Sequence, residues 1–224
     1  MTINPVSVKK ITIQDDLKYN GIVVLSYRIE YPEFSSMIFY EPVQNVNDFY
    51  KNKATEYEKR CNTELFNQAV DLYRTQLDIR TSIPKFEAIL TYTITYLSGC
   101  IISLYSETYE FTGGAHGITV RDSQTWNLRN NGQMELKQLF GCSLDPKTYS
   151  LIKIREQIKL DTSLYFEDFA SLIIKYFNPA NFFCTYTDIV IYYQLYDIAP
   201  YVAGFREFNI PYNDCVLDPK MTCR

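Results

Sequence analysis

The sequence predicts an α+β fold in which antiparallel sheets pack against one long helix in an N-terminal module and two helices in a C-terminal module. The predicted elements run in the order strands, helix, strands, two helices, strands, and such blocks are typical of α+β proteins with antiparallel pairing. A chain of 224 residues is long enough to bury a sizeable core. A composition of 46% hydrophobic and 21% charged residues indicates a globular protein.

The N-terminal residues predict a β-hairpin. Residues 6–13 alternate in polarity as a strand does, and a turn follows that opens at Asp15 and closes at Gly21. Residues 22–31 are rich in β-branched and aromatic side chains, and Pro32 is expected to end this second strand.

Residues 45–80 predict the long helix because their apolar side chains recur at three- and four-residue steps. Asn45 or Asn47 is expected to cap its N-terminus, and Asp48 suits the positive end of the helix dipole. The apolar stripe, which should lie across a sheet, comprises Tyr50, Ala54, Tyr57, Cys61, Leu65, Ala69, Tyr73 and Leu77.

Three consecutive strands are predicted next, as an antiparallel meander. Residues 86–97 alternate cleanly, the pair 98–99 makes a turn, and residues 100–111 return as the partner strand. A second turn at residues 112–117 leads into a strand over residues 118–128. A soft boundary between Arg80 and Lys85 divides the chain into modules of residues 1–83 and 84–224.

The C-terminal region predicts two helices and three short strands. Asp145 is a suitable cap and Pro146 suits a first turn, so a helix is expected to run to about Leu160. The other expected elements are a helical turn or strand end at 135–140, a helix at 163–177, strands at 182–186 and 189–195, a tight helical turn at 199–204, and a last strand at 205–210 closed by Pro211.

The six cysteines form no CxxC pair, which excludes a zinc ribbon and a thioredoxin-like site. An even number of cysteines permits disulfides without requiring them. Cys215 and Cys223, near the C-terminus, are the expected pair, or else the expected exposed thiols.

Charge and hydropathy exclude several classes of partner. The net charge of −4 and the lack of a basic stripe exclude nucleic acid. No apolar run reaches the roughly 18 residues of a membrane span, and residues 1–10 lack the order of a signal peptide. The protein is expected either to stay in the cytoplasm or to have lost an export signal. No nucleotide-binding loop or metal motif is present, so no cofactor and no metal are expected.

Residues 112–117 hold three of the eight glycines and the only histidine. Gly113, Gly114 and Gly117 favour a sharp turn or bulge, since glycine adopts positive φ and lets another backbone approach closely. His116 is expected to be structural, with its ring hydrogen-bonded to this turn.

A hydrolytic site is the alternative interpretation of this region. His116 would pair with a carboxylate from a neighbouring strand, and the available carboxylates are Glu107, Glu110 and Asp122. The simpler interpretation of these three carboxylates is ordinary surface charge on a sheet.

Aromatic residues make up 16% of the chain and include 20 tyrosines, more than a core requires. Flat aromatic faces bind sugar rings and anchor protein interfaces. The ligand-facing residues are expected to be Tyr192, Tyr196 and Tyr201, together with Trp126, the only tryptophan. Pro200 and Gly204 are expected to shape the helical turn that carries Tyr201.

Two stretches resemble the extracytoplasmic domain of RsiV-like proteins. They are residues 109–117 (YEFTGGAHG), followed by a strand with Trp126, and residues 196–204 (YDIAPYVAG), ending in 208–212 (FNIPY). The N-terminal module resembles the uncharacterised domain that precedes the catalytic domain of PdaC-type peptidoglycan deacetylases.

This resemblance implies an α+β fold in two abutting modules on the outer side of a bacterial membrane. RsiV is a membrane-anchored anti-sigma factor whose outer domain binds lysozyme. The present sequence contains no transmembrane helix, sigma-binding segment or deacetylase domain, so neither signalling nor deacetylation is implied.

The function predicted from these observations is a non-catalytic binding or sensor module of the cell envelope. Its expected ligand is a lysozyme-like protein or a wall glycan such as a peptidoglycan fragment. The alternatives are a cell-wall hydrolase that uses His116 with a carboxylate, and a cytoplasmic protein of unknown role.

Overall fold

The computed structural model describes residues 5–79 and 84–223, and these ranges contain two β-sheets. The large sheet has the strand order β1-β2-β3-β4-β5-β6 and the small sheet β7-β8-β9. Their bounds are β1 Ser7–Tyr19, β2 Ile22–Ser35, β3 Phe86–Ser98, β4 Ile101–Phe111, β5 Ile118–Asn127, β6 Gly132–Gln133, β7 Phe182–Cys184, β8 Asp188–Tyr193 and β9 Arg206–Pro211. The α+β class is confirmed.

The large sheet contains strands from both sides of the predicted module boundary. That boundary, between Arg80 and Lys85, falls mostly on residues 80–83, which lie outside the described residues. The division at residue 84 therefore stays a prediction, although β2 and β3 pair directly in one sheet.

One strand pair departs from the antiparallel prediction. The hairpin β1–β2 and the meander β3–β4–β5 are antiparallel, but β2 and β3 run parallel over Leu25–Ile29 and Phe86–Leu90. A helical connection between them returns the chain to the same end of the sheet, so the second strand starts in the direction of the first. The sheet is therefore mixed.

The N-terminal strands are longer than predicted. β1 continues through Asp15 to Tyr19, and the turn is made by Asn20 and Gly21, whose φ values are 51° and 81°. Pro32 lies inside β2, opposite Lys10, and does not end it. Beyond Ile29 the strand pairs with β1 alone, and a strand with one open side accommodates a residue that lacks an N–H.

The predicted long helix begins earlier and changes geometry once. It comprises α1 Tyr40–Arg60, a π-helical stretch at Cys61–Leu65, and α2 Phe66–Ile79, and its predicted last residue, Arg80, lies outside the described residues. Most of the apolar stripe is buried, but Tyr57 is half-buried and Leu77 is 51% exposed.

The predicted N-terminal features of the helix are wrong, because Asn45, Asn47 and Asp48 all lie inside α1. The Asn47 amide instead fixes the helix to β2. It accepts a hydrogen bond from the Phe34 backbone N (2.7 Å) and donates one to the Phe34 backbone O (2.9 Å). At the helix start, the Ser36 hydroxyl accepts from the Phe39 N (3.1 Å).

The C-terminal helices are α3 Pro146–Ile158 and α4 Phe169–Lys175. Asp145 caps α3 as predicted, accepting from the Thr148 N at 2.8 Å. The second helix begins six residues later than predicted. The Asp161 carboxylate accepts from the Ser163 N and so stabilises a turn there. The Phe166 N donates to the Ile198 O (3.1 Å), so this backbone group is not available for a helical hydrogen bond.

Buried hydrogen bonds join the small sheet to the large sheet. Ser103 on β4 accepts from the Cys184 N (2.9 Å) and also bonds Thr125 on β5 (2.7 Å). Ser123 donates to the Phe182 O (2.5 Å). Polar residues between two sheets are satisfied in this way because an unpaired buried group is costly. One core cluster spans both sheets, α1 and α3.

The predicted pairing of Cys215 with Cys223 is wrong. Cys100 pairs with Cys223, and Cys142 pairs with Cys215. Both bonds tie the C-terminal segment to distant parts of the chain, so sequence proximity did not indicate the partners. Burial raises the pKa of the Cys184 thiol to about 12. Burial and then the Glu110 charge raise the pKa of the Cys61 thiol to about 12.

We expect mass spectrometry of the unreduced, proteolysed protein to identify peptides linked through Cys100–Cys223 and Cys142–Cys215. In the native protein at pH 8, iodoacetamide should leave Cys61 and Cys184 unmodified, because a thiol with a raised pKa forms little thiolate. Unfolding in urea without reductant is the control and should expose two reactive thiols. A peptide linking Cys215 to Cys223 would contradict the structure.

Candidate functional site

A groove of about 600 Å³ lies between the C-terminal half of α1 and the adjoining ends of β4 and β5. Its wall combines polar and apolar groups. It is lined by Tyr57, Arg60, Thr108, Glu110, Thr112, Gly114, His116, Ile118 and Val120. The predicted glycine turn thus closes one end of an open groove.

Two glycines of this turn are required by its geometry. Gly113 has φ +89°, and a Cβ there would lie 2.9 Å from both Leu72 and Pro84. At Gly117 a Cβ would lie 2.2 Å from the Tyr109 ring. Gly114 is different, since its nearest neighbour would be the His116 O at 3.8 Å. The predicted turn is present, and two of its three glycines account for its shape.

His116 is exposed, and its ring lies against the turn. Its Nδ1 bonds the Gly117 O at 2.9 Å, which is the predicted contact. A carbonyl oxygen only accepts, so Nδ1 carries the proton in the neutral ring and Nε2 is an acceptor. Nε2 lies 3.4 Å from the Tyr196 hydroxyl, which can donate to it.

Two tyrosines from the connection between β8 and β9 in the small sheet complete a row of rings with His116. The Tyr201 ring stacks on the imidazole with centroids 4.5 Å apart and planes at 23°, and its hydroxyl donates to the Gly117 O (3.2 Å). Tyr196 lies 5.5 Å from Tyr201 and is 55% exposed. We call His116, Tyr201 and Tyr196 the aromatic row.

The backbone around the tyrosines explains how they reach this position. Tyr196 has a φ of 67°, which is uncommon for a bulky residue. Pro200 precedes a single 3-10 turn, Tyr201–Ala203, and Gly204 ends it with φ 69°. Pro200 and Gly204 therefore delimit the turn that presents Tyr201.

The other two predicted binding residues are buried, and for them the prediction is wrong. Trp126 faces α1, where its Nε1 donates to the Tyr50 hydroxyl (2.9 Å). Tyr192 packs against Phe183 between the sheets, and its hydroxyl donates to Ser123 (3.2 Å). Strand alternation turned both rings inward, so neither offers a face to a ligand.

The three carboxylates do not converge on His116, and each has its own basic partner. Both oxygens of Glu110 accept from Arg60, at 3.1 and 3.0 Å. Asp122 pairs with Lys53 on the same face of the sheet. Glu107 lies on the opposite face and pairs with Arg121 (2.6 Å).

Sequence reasoning missed the Arg121 cluster. The side chain of Arg121 is 6% exposed and makes ion pairs with Glu107 on β4 and Glu207 on β9. Its guanidinium lies 4.1 Å from the Tyr105 ring centroid and 4.2 Å from that of Phe205. The signal available in the sequence is the alternation of β5, which puts Arg121 on the face opposite Val120, but it does not reveal the acidic partner on β9.

The backbone of Arg121 also holds in place the segment that carries Tyr196 and Tyr201. The Gln194 side chain accepts from the Arg121 N (3.1 Å) and donates to the Arg121 O (2.6 Å). Two residues later the chain turns at Tyr196. The edge of β5 is therefore joined to the segment that carries both tyrosines.

Residues 5–79 and 84–223 contain neither a metal-binding cluster nor a membrane-spanning helix. Within these ranges no cluster of three or more histidine, cysteine or acidic side chains is arranged to hold a metal ion. Each helix of the same ranges is too short or too polar to cross a lipid bilayer.

Two family models match the chain in the order that the resemblance implied. Residues 22–119 match the model described as Deacetylase PdaC, and residues 145–213 match the model described as Protein of unknown function (DUF3298). The layout of a PdaC-like segment followed by a DUF3298 segment is confirmed. The likeness to RsiV itself stays a prediction.

Two solved structures of DUF3298-family proteins share the fold. One, from Bacteroides fragilis, has a TM-score of 0.71 and 18% identity, over 97% of this chain and 96% of that chain. The other, from Pseudomonas aeruginosa, has a TM-score of 0.58 and 17% identity, over 95% and 94%. At these identities the similarity shows the fold alone. No curated protein matches the sequence.

We expect Gly113→Ala to lower the free energy of unfolding by about 2 kcal/mol or more, because the new Cβ meets two side chains and the left-handed backbone is strained. Gly114→Ala is the matched control and should change it by less than about 0.5 kcal/mol. Urea unfolding measures both. Equal effects would show that the turn does not have this shape.

Arg121→Ala should lower the free energy of unfolding by about 2–4 kcal/mol, since it leaves two carboxylates unpaired in a partly buried site. The triple variant Arg121→Ala, Glu107→Gln, Glu207→Gln removes those charges and should recover part of the loss. Thermal or urea unfolding compares the two. A triple variant less stable than the single one would contradict an electrostatic origin.

Proposed function

We propose that this chain, with its PdaC-like segment followed by a DUF3298 segment, is a non-catalytic binding module of the cell envelope that recognises wall glycan. The observation that carries the proposal is the aromatic row at the end of a groove lined by both polar and apolar groups. His116 and Tyr196 are exposed, and Tyr201 lies half-buried beside them. Exposed ring faces beside a groove are a feature of ligand sites.

The chemistry of the groove suits a sugar. One face of a sugar ring carries C–H groups that pack on an aromatic ring, while its hydroxyl and acetamido groups need hydrogen-bonding partners. The row offers the ring faces. The groove beside it offers the hydroxyls of Thr108 and Thr112 and the ion pair of Arg60 with Glu110. Both kinds of contact lie on one open surface.

Binding without cleavage is the better-supported form of this proposal. General acid-base catalysis needs a carboxyl or imidazole group that is available to the substrate. Glu110 is the carboxylate that shares the groove with His116, and Arg60 engages both its oxygens. Hydrolysis through His116 and a carboxylate remains the alternative.

The cysteine pairing supports a place outside the cytoplasm. Disulfides persist in oxidising compartments and are rare in reducing ones. The described part of the chain contains two disulfides, Cys100–Cys223 and Cys142–Cys215. We therefore propose an extracytoplasmic protein, in keeping with the resemblance to the domain that precedes the catalytic domain of PdaC-type peptidoglycan deacetylases.

A lysozyme-like protein is a second candidate ligand, favoured by one observation. Ile118 and Val120, on the groove face of β5, are 63% and 54% exposed and lie beside the aromatic row. Apolar and aromatic groups clustered in this way can anchor a protein interface.

Calorimetric titration with soluble peptidoglycan fragments tests the proposal. We expect saturable binding that Tyr201→Ala weakens at least about tenfold, because the ring in contact with both His116 and Tyr196 is lost. Tyr201→Phe keeps the ring and should retain most of the affinity. Tyr40→Ala, an exposed tyrosine remote from the groove, is the control for surface changes.

Two parallel measurements separate the alternatives. Titration with a c-type lysozyme, repeated with Val120→Asp, tests the protein ligand. Chromatography of fragments after long incubation tests hydrolysis, which would appear as new products that His116→Ala abolishes. Absence of fragment binding, or binding that Tyr201→Ala leaves unchanged, would contradict the glycan proposal.

A further inference from the structure

The strand β1 leaves one long edge of the large sheet uncovered. It spans Ser7–Tyr19 and pairs only with β2, and in the described part of the chain no strand lies on its other side. One backbone group of β1 is already bonded within the strand, since the Asp16 N donates to the Asp15 carboxylate (2.8 Å). An uncovered edge of this length is a template for pairing with another strand.

The two faces of β1 differ in how their charges are satisfied. On one face, Lys10 pairs with Glu30 (3.2 Å) and Asp16 accepts from Ser26 (2.5 Å). On the other face Lys9 and Asp15 are exposed, and within the described residues neither makes an ion pair. Among the described residues, this second face therefore carries one positive and one negative charge without an ion-pair partner.

That second face also carries the apolar residues of the strand. Ile11 and Ile13 are half-buried there, and Ile13 packs against the core cluster beneath α2. Along this face a basic side chain (Lys9) is followed by two apolar ones and then by an acidic one (Asp15). Reversing the direction of the strand exchanges the two charges and keeps the apolar pair in the middle, which makes the face self-complementary.

We propose that β1 is the interface of a homodimer, in which it pairs antiparallel with β1 of a second copy about a two-fold axis at Thr12. Each Thr12 then faces its own counterpart. Lys9 of each copy lies opposite Asp15 of the other, and Ile11 lies opposite Ile13. Directly opposed side chains in an antiparallel pair have Cβ atoms about 5 Å apart, close enough for an ion pair.

The neighbouring symmetric registers lack this match. An axis at Ile11 places Lys9 opposite Ile13. An axis at Ile13 places Lys9 opposite Leu17; it also places Lys10 opposite Asp16, but these two side chains are already held within their own copy by Glu30 and Ser26. Lysine on an edge strand usually discourages pairing. Here the Thr12 register gives Lys9 an acidic partner, so the charges select one register while the backbone supplies about one hydrogen bond per residue pair.

The proposed dimer leaves the groove free. β1 lies at the far end of the strand order from β5, whose end lines the groove. Two copies joined through β1 would present two grooves, so a polymeric ligand could engage both at once. The dimer does not depend on the glycan proposal, and either can fail without the other.

Sedimentation equilibrium of the purified chain at about 1–200 µM tests the dimer by mass action. We expect a species of twice 26.3 kDa. Lys9→Asp and Asp15→Lys each place two pairs of like charges opposite one another, and each should raise the dimer dissociation constant at least tenfold. The combined charge-swap variant should restore dimerisation. Lys51→Asp, an exposed change on α1, is the matched control and should have no effect.

A cross-link reports the register directly. Thr12→Cys should form a disulfide between copies under mild oxidation, because opposed Cα atoms lie within disulfide range. Gln14→Cys should not, since the two copies of that position are offset along the strands. A monomer at every concentration, or a dimer that neither single reversal weakens, would overturn the proposal. So would a folded charge-swap variant that stays monomeric, or cross-linking at Gln14 in place of Thr12.

Discussion

The arrangement of the two sheets depends on the ion pairs made by the buried guanidinium of Arg121. This group reaches from β5 between Glu107 of the large sheet and Glu207 of the small sheet, with aromatic rings of Tyr105 and Phe205 close to it. A buried cation is tolerated when carboxylates and hydrogen bonds surround it. Because its partners come from both sheets, the relative position of the sheets is fixed where they meet.

The geometry of the candidate site depends on this contact between the two sheets. His116 belongs to the turn between β4 and β5, while Tyr196 and Tyr201 follow β8. Gln194 bonds the backbone of Arg121, and Tyr201 bonds the same Gly117 carbonyl as His116. The three rings are thus brought together by polar contacts between the sheets, so the site requires both. The proposed binding role of the row rests on this assembly of rings beside a groove.

The sequence predicted what depends on local pattern and failed where a distant partner decides. Alternation predicted β3 to β5, helical periodicity predicted α1 and α2, and Asp145 was correctly assigned as a cap. Pro32 inside β2, the late start of α4 and the pairing of Cys215 each depend on contacts with residues far along the chain. The same limit applies to the site. Among the aromatic residues that the sequence suggested for binding, Tyr196 and Tyr201 lie beside His116, whereas Tyr192 and Trp126 are buried. The aromatic composition of the chain does not show which face of a strand is covered.

The single histidine allows the central claim to be tested in one spectrum. The chain has one imidazole, so its ring gives one set of carbon-bound proton resonances, and it lies at the mouth of the groove. The measurement is a ¹H–¹³C correlation spectrum of that ring during titration with soluble peptidoglycan fragments. If the aromatic row binds glycan, the His116 resonances shift saturably, with the dissociation constant found by calorimetry. Fragment binding that leaves these resonances unmoved would contradict the account and place the ligand elsewhere.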